Sequence, residues 1–209
     1  MKLIPEWYEH QYCLIAWPCN KDLYGKFINK ARDEVANVIN EIAKTEHVIV
    51  LSNKEDINEI QNKTDHKNID IVECKLDDSW MRDIAPIFYI EDEKLKSISF
   101  EFNGYGKYPD YLNDNKISKF ISNYLNIPTK ISDLVIEGGA ITYDDKKNLF
   151  STKNVIFNKN RKQKHNSEYI IKELKLLFDL NYIFLFENGL MDDDTDGHVD
   201  NLFLSLIHI

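Results

Sequence analysis

The sequence predicts an α/β protein, or a mixed sheet with helices outside it, on three observations. Apolar residues at three- and four-residue spacing mark helices, short runs rich in β-branched and aromatic residues mark strands, and the two kinds alternate along the chain. From Lys26 to Lys44, the residues Phe27, Ala31, Val35, Val38, Ile39 and Ile42 form one face of an amphipathic helix. His47 to Ser52 then reads as a buried strand, Glu55 to Lys63 as a short helix and Ile69 to Cys74 as another strand. PIFYIE from Pro86 and SISFEF from Ser97 look like a strand pair. Tyr111 to Leu125 and Ser167 to Phe178 repeat the helical pattern, while Asp133 to Ile136, Asn148 to Phe157 and Tyr182 to Glu187 repeat the strand pattern. The basic run from Asn158 to Glu168 reads as an exposed loop.

The 209 residues are 43% hydrophobic and 12% aromatic, enough for one sizeable core, and no Pro/Gly/Ser-rich linker divides them. One domain, residues 1–209, is therefore expected. Lys and Arg number 26 against 35 Asp and Glu, a formal charge of -9. That balance excludes a broad grip on nucleic-acid phosphates and suits a small cationic partner. Cys13, Cys19 and Cys74 are odd in number and lack CxxC spacing, which argues against a disulfide framework or a structural zinc site and for reduced thiols in a cytoplasmic protein. Pro5, Glu6, Glu9 and His10 interrupt the start where a signal peptide needs an apolar stretch, and no run reaches 18 apolar residues, so no membrane partner is expected. The uncharged end LFLSLIHI reads as an element cut in mid-fold.

Three acidic stations are the candidates for chemistry. Asp83, in WMRDIAP, reads alone as a local ion pair or a turn residue before Pro86. Glu137 follows an apolar run and precedes two glycines, which places a carboxyl at the end of a buried strand where the backbone turns or admits a ligand. His198 and Asp200 stand two apart, a spacing that puts both on one face of an extended segment. A reading of another class takes Asp192, Asp194, Asp196, Gly197, Val199 and Asp200 as the first part of an EF-hand calcium loop. Against it, Phe203 stands where that loop needs a bidentate Glu, and a strand-like segment precedes it where a helix belongs.

Taken in order, WMRDIAP, EGG and GHVDN resemble the agmatine deiminase and bacterial peptidylarginine deiminase family. CLIAWPCNKDLYG, FNGYGKYP and STKNVIFNKNR agree, so the resemblance runs from about Trp17 to about Leu202. It implies an α/β propeller (pentein) of five ββαβ-like units, with about three of the five in this chain and the domain incomplete at its C-terminus. It also implies hydrolysis of a guanidinium to a ureido group with release of ammonia. By that resemblance Asp83 and Asp200 bind the guanidinium, Glu137 and His198 move protons, and Trp80 lines the pocket. A cysteine thiolate should attack the guanidinium carbon. None of Cys13, Cys19 and Cys74 sits in a matching context, so no nucleophile is expected in this chain, and the chain alone is expected to be inactive and prone to aggregate. After Asp200-Asn201-Leu202-Phe203 the end departs from the family pattern, as a frameshift or premature stop would leave it. Agmatine leads over free arginine and peptidyl-arginine, because no cation is evident for arginine's carboxylate. No metal or organic cofactor is required, and a homo-oligomer is compatible with everything above.

Overall fold

The computed structural model describes residues 1–65 and 67–204. The reading of the apolar end concerns, from residue 205 on, a stretch outside the described residues. In chain order the strands are β1 (Lys2–Leu3), β2 (Tyr12–Ala16), β3 (His47–Ser52), β4 (Ile69–Glu73), β5 (Ile87–Glu91), β6 (Lys94–Glu101), β7 (Thr129–Val135), β8 (Thr142–Tyr143), β9 (Asn148–Thr152) and β10 (Tyr182–Phe186). The α-helices are α1 (Lys21–Tyr24), α2 (Ile28–Ile42), α3 (Ile57–Lys63), α4 (Met81–Ile84), α5 (Ile117–Tyr124), α6 (Lys153–Ile156) and α7 (Ser167–Phe178). The chain divides into two compact units, Met1–Tyr8 with Arg82–Tyr111 and Asn115–Ile209, and Glu9–Met81 with Leu112–Asp114.

The unit containing Glu9–Met81 is a parallel sheet in the order β2-β3-β4, with Tyr12 opposite His47 and Val48 opposite Ile69. Parallel neighbours need crossovers, which α2 and α3 supply. The apolar run HVIVLS forms the central strand because it is buried along nearly its whole length. Its core partners are Trp17, Ala36, Ile39, Ala43 and Ile60. The buried face of α2 differs from the predicted one: Arg32, Ala36 and Ile39 point inward, while Phe27 and Val38 are exposed. The reason is an ion network that periodicity of apolar residues cannot see. The Arg32 guanidinium lies 2.8 Å from Asp56 and 2.5 Å from Glu59, and its Nε donates to the Pro18 carbonyl.

The other unit holds two sheets. In the first, ordered β1-β5-β6-β7, β5 and β6 form the predicted antiparallel pair, closed by Asp92 and Glu93 with φ of 52° and 59°. Two positive-φ residues make the turn whose twist matches a hairpin. β7 then returns parallel to β6 through α5. The second sheet, ordered β10-β9-β8, pairs β9 with β10 in parallel through α7. Leu134, Ile136, Leu149, Ile170, Leu174 and Phe178 share one core between these elements. β10 alternates, with Ile183 and Leu185 against that core and Tyr182, Phe184 and Phe186 exposed, and it pairs only with β9 among the described residues.

Two expectations are corrected here. The strand predicted from Asn148 to Phe157 stops at Thr152, whose hydroxyl accepts the Val155 N–H and so begins α6. The basic run from Asn158 is not simply an exposed loop: Asn158 caps a 3-10 turn at Lys159–Arg161, and Arg161 is fully buried.

Candidate functional site

Asp83, Glu137, His198 and Asp200 all belong to the unit with the two sheets, and the chain brings them together by four local devices. The short helix α4 carries Asp83 ahead of Pro86, which ends it. Glu137 stands just past β7, and a 3-10 turn at Gly138–Ala140 follows it. Both glycines there answer to crowding. A Cβ on Gly138 would come 2.0 Å from the Arg82 carbonyl oxygen. One on Gly139 would stand 2.6 Å from Asp200 Oδ2, 2.6 Å from His198 Nδ1 and 2.8 Å from Asp83 Oδ1. Gly139 therefore marks the point where three of the four predicted side chains converge.

His198 is placed by the loop before it. The Asp193 carboxylate accepts the N–H groups of Thr195, Gly197 and His198, and the Thr195 hydroxyl besides. Gly197, at φ +96°, lets the backbone reverse. His198 then precedes a 3-10 turn at Val199–Asn201, not the extended segment expected from its spacing to Asp200. The two side chains still share a neighbourhood because both meet the Gly139 position.

The geometry is that of an imidazole between carboxylates. His198 Nδ1 lies 3.6 Å from Asp83 Oδ1 and Nε2 lies 3.5 Å from Glu137 Oε2. Asp83 is fixed by the Gly139 N–H at 2.9 Å and by the Tyr105 hydroxyl at 2.7 Å. Burial pushes the Asp83 carboxyl above the usual carboxylate range, with the Glu137 charge adding to it and His198, Tyr105 and Gly139 pulling back. Burial likewise raises Asp200, against the charges of His198 and Arg82. For His198, burial disfavours the charged ring, but contact with Glu137 and the charges of Asp83, Glu137 and Asp200 outweigh it and raise the pKa above 6.5. Glu137 has 0% exposure, and neither of its oxygens has a hydrogen-bond partner among the described residues. Buried polar atoms of this kind are uncommon and call for an explanation.

Sequence reading misses four participants. Arg161 lies 2.7 Å from Glu137 Oε1 through its Nε, outside hydrogen-bond geometry. Tyr105 packs edge-on against the His198 ring with centroids 5.9 Å apart, and sits at φ 57° between Gly104 and Gly106. The two glycines around it were the available signal. In the sequence, Asp196 stands out only as a position in a calcium loop, and Asp193 within that stretch carries no signal of its own. In the structure Asp193 binds backbone N–H groups, and Asp196 binds Lys107 at 2.7 Å and Arg161 at 2.6 Å. Lys107 and Arg161 thus occupy the Asp196 carboxylate that a calcium ion would need, and β10 precedes the loop where an entering helix belongs. Among the described residues no cluster of His, Cys, Asp and Glu is arranged to hold a metal ion. Trp80 lies in the other unit and is 40% exposed, so its part in a pocket stays an expectation.

The three cysteines also lie in the other unit. Burial pushes the Cys19 thiol up to about 12 and the Cys74 thiol to about 11, and raises Cys13 as well. A thiol held so far from ionising is a poor nucleophile at neutral pH.

Known proteins share this arrangement of chain. An agmatine deiminase of Pseudomonas aeruginosa is 30% identical over 203 residues, which cover 94% of this chain and 55% of that protein. A solved C. jejuni agmatine deiminase, a cysteine-to-serine variant with substrate bound, superposes with a TM-score of 0.86 at 28% identity, covering 95% of this chain and 60% of that one. The agmatine deiminase of Enterococcus faecalis, at 20% identity and a TM-score of 0.89, shares the fold over 95% of this chain and 56% of its own. The fold is thus the pentein fold of these enzymes, and the chain spans little more than half the length of the relatives it matches. No helix among the described residues is long and apolar enough to cross a membrane. Residues 2–206 match the family described as Porphyromonas-type peptidyl-arginine deiminase, and the chain belongs to that family.

Proposed function

We propose that Asp83, Glu137, His198 and Asp200 form the guanidinium-binding and proton-transfer part of a deiminase site, with agmatine as the substrate. The observation that carries this reading is the convergence of Asp83, Asp200 and His198 on the Gly139 position, with Glu137 3.5 Å from the far nitrogen of the same imidazole. A guanidinium is planar and cationic, and carboxylates pair with its N–H groups while steering it into a site of opposite charge. Asp83 and Asp200 take that part. Glu137 and His198 then serve proton transfer: the departing nitrogen gains a proton and leaves as ammonia, and the water that replaces it loses one, giving a ureido product. The attacking thiol would come from outside these 209 residues, since burial holds all three cysteines here in the protonated form.

The name of the C. jejuni and P. aeruginosa relatives favours agmatine over arginine or peptidyl-arginine. The same reading takes the protein as cytoplasmic, without a nucleic-acid partner, and both units as parts of one deiminase domain. Calorimetric titration of the chain with agmatine and with putrescine, which lacks the guanidinium, tests it. Agmatine should bind, putrescine should bind at least tenfold more weakly, and no ammonia should appear. Equal binding of the two would refute the guanidinium site.

A further inference from the structure

Arg161 meets Glu137, Tyr105, Thr195 and Asp196, residues from three separate stretches of the chain. Its side chain has 0% exposure, as has that of Glu137. Nε meets Glu137 at 2.7 Å, one terminal nitrogen meets Asp196 at 2.6 Å and donates to the Tyr105 carbonyl at 3.1 Å, and the other donates to the Thr195 carbonyl at 2.7 Å. The guanidinium also lies 5.7 Å from the centre of the Tyr105 ring. One planar fork therefore joins the Glu137 turn, the Tyr105 turn and the Thr195-Asp196 stretch that leads into His198. The two terminal nitrogens hold three acceptors in fixed directions, which a lysine cannot, and that seats Nε beside Glu137 as an ion pair.

Glu137 presents one oxygen to Arg161 and the other to His198. We infer that Arg161 is a positioning residue: it keeps the Glu137 carboxylate turned toward His198 Nε2 and fixes the loop that delivers His198. The inference rests on the deiminase reading for its purpose, but its test does not. The charged groups around the His198 ring are Asp83, Glu137 and Asp200.

The His198 imidazole is titrated by NMR in the full chain, its signal assigned by loss in His198→Asn. If Arg161 acted only as a nearby positive charge, Arg161→Met would raise the imidazole midpoint. If Arg161 holds Glu137 against the ring, Arg161→Met removes that carboxylate's contact and lowers the midpoint, by about one unit, as loss of an adjacent opposite charge does. Glu137→Gln should lower it similarly, and the double variant should fall no further than either single one. Arg161→Lys, which keeps the charge without the fork, should fall between. A rise, no change, or additive falls would overturn the inference. Should the Arg161→Met substitution prevent folding, Asp196→Asn loosens the fork from its second carboxylate without touching Glu137. There too a fall supports the inference and an unchanged midpoint overturns it. Absence of agmatine binding by the unaltered chain would remove the deiminase reading while leaving the titration result standing.

Discussion

A methyl group on Gly189 would stand 2.2 Å from the Cα of Gly197, so the two glycines touch backbone to backbone. Gly197 is the residue before His198 and accepts the Thr152 hydroxyl on its carbonyl at 2.8 Å. The contact thus presses the His198 loop against the end of β9. Gly189→Ala must separate the two backbones. A loss of about 2 kcal/mol in a urea melt is expected, with agmatine binding weakened alongside. An unchanged melt would show that the contact is slack in solution.

Gly139→Ala separates site from fold in another way. Gly139 has no positive φ, so alanine suits its backbone, but the new methyl enters the space that Asp83, Asp200 and His198 share. Agmatine affinity should drop at least tenfold, while stability changes by about 1 kcal/mol, the low end for overpacking. Comparable affinity for the two proteins would remove Gly139 from the binding site.

Asp114 gives the unit around β3 a dependence on pH. Its carboxylate accepts the N–H groups of Asp77 and Asp78 at 2.8 and 3.1 Å, and Asp77 in return accepts from Asn113. Burial first, then the Asp77 and Asp78 charges, push it up to about 7, against the pull of the two N–H groups. A folded-state pKa raised from 3.8 means that the folded chain holds a proton which the unfolded chain has released. Stability from this group is full below 3.8 and is lost as pH rises through about 7. Amide exchange in β3 should therefore slow as pH falls from 8 to 5, after correction for intrinsic rates, and Asp114→Asn should flatten the trend.

Ligand binding should move protons too. Asp83 and Asp200 both ionise above the usual carboxylate range, and a bound guanidinium favours their charged forms. Agmatine affinity should rise with pH above 3.8 until both are ionised. On that slope, the heat of binding should vary with the ionisation enthalpy of the buffer. A buffer-independent heat throughout would mean that neither carboxyl receives the cation.

Much of this architecture is legible in the residues. HVIVLS is a strand over its predicted limits because burial on both faces needs an unbroken apolar run. Ser167–Phe178 is a helix over its predicted limits because apolar spacing and the Asn166 cap agree. Glu137 and the His198-Asp200 pair could be picked out because a carboxyl beside paired glycines, or a histidine among aspartates, fits poorly with an ordinary turn; Asp83 stood out only through the resemblance of its motif. What stayed hidden depends on partners far along the chain. Arg32 and Arg161 are buried only because Asp56, Glu59, Glu137 and Asp196 meet them, and polarity alone assigns both to solvent. Tyr105 was part of a quoted motif, but its bond to Asp83 follows from a positive φ that no pattern of polarity encodes.

The outward aromatic row of β10 has a kinetic meaning. Phe184 stacks on Phe150 at 5.1 Å and Phe150 meets Phe203 at 4.5 Å, beside a strand edge that pairs with nothing among the described residues. A strand of that kind recruits whichever extended backbone meets it first. Between two copies of these 209 residues such an encounter is bimolecular, so any loss of native protein by this route should be second order and slow on dilution.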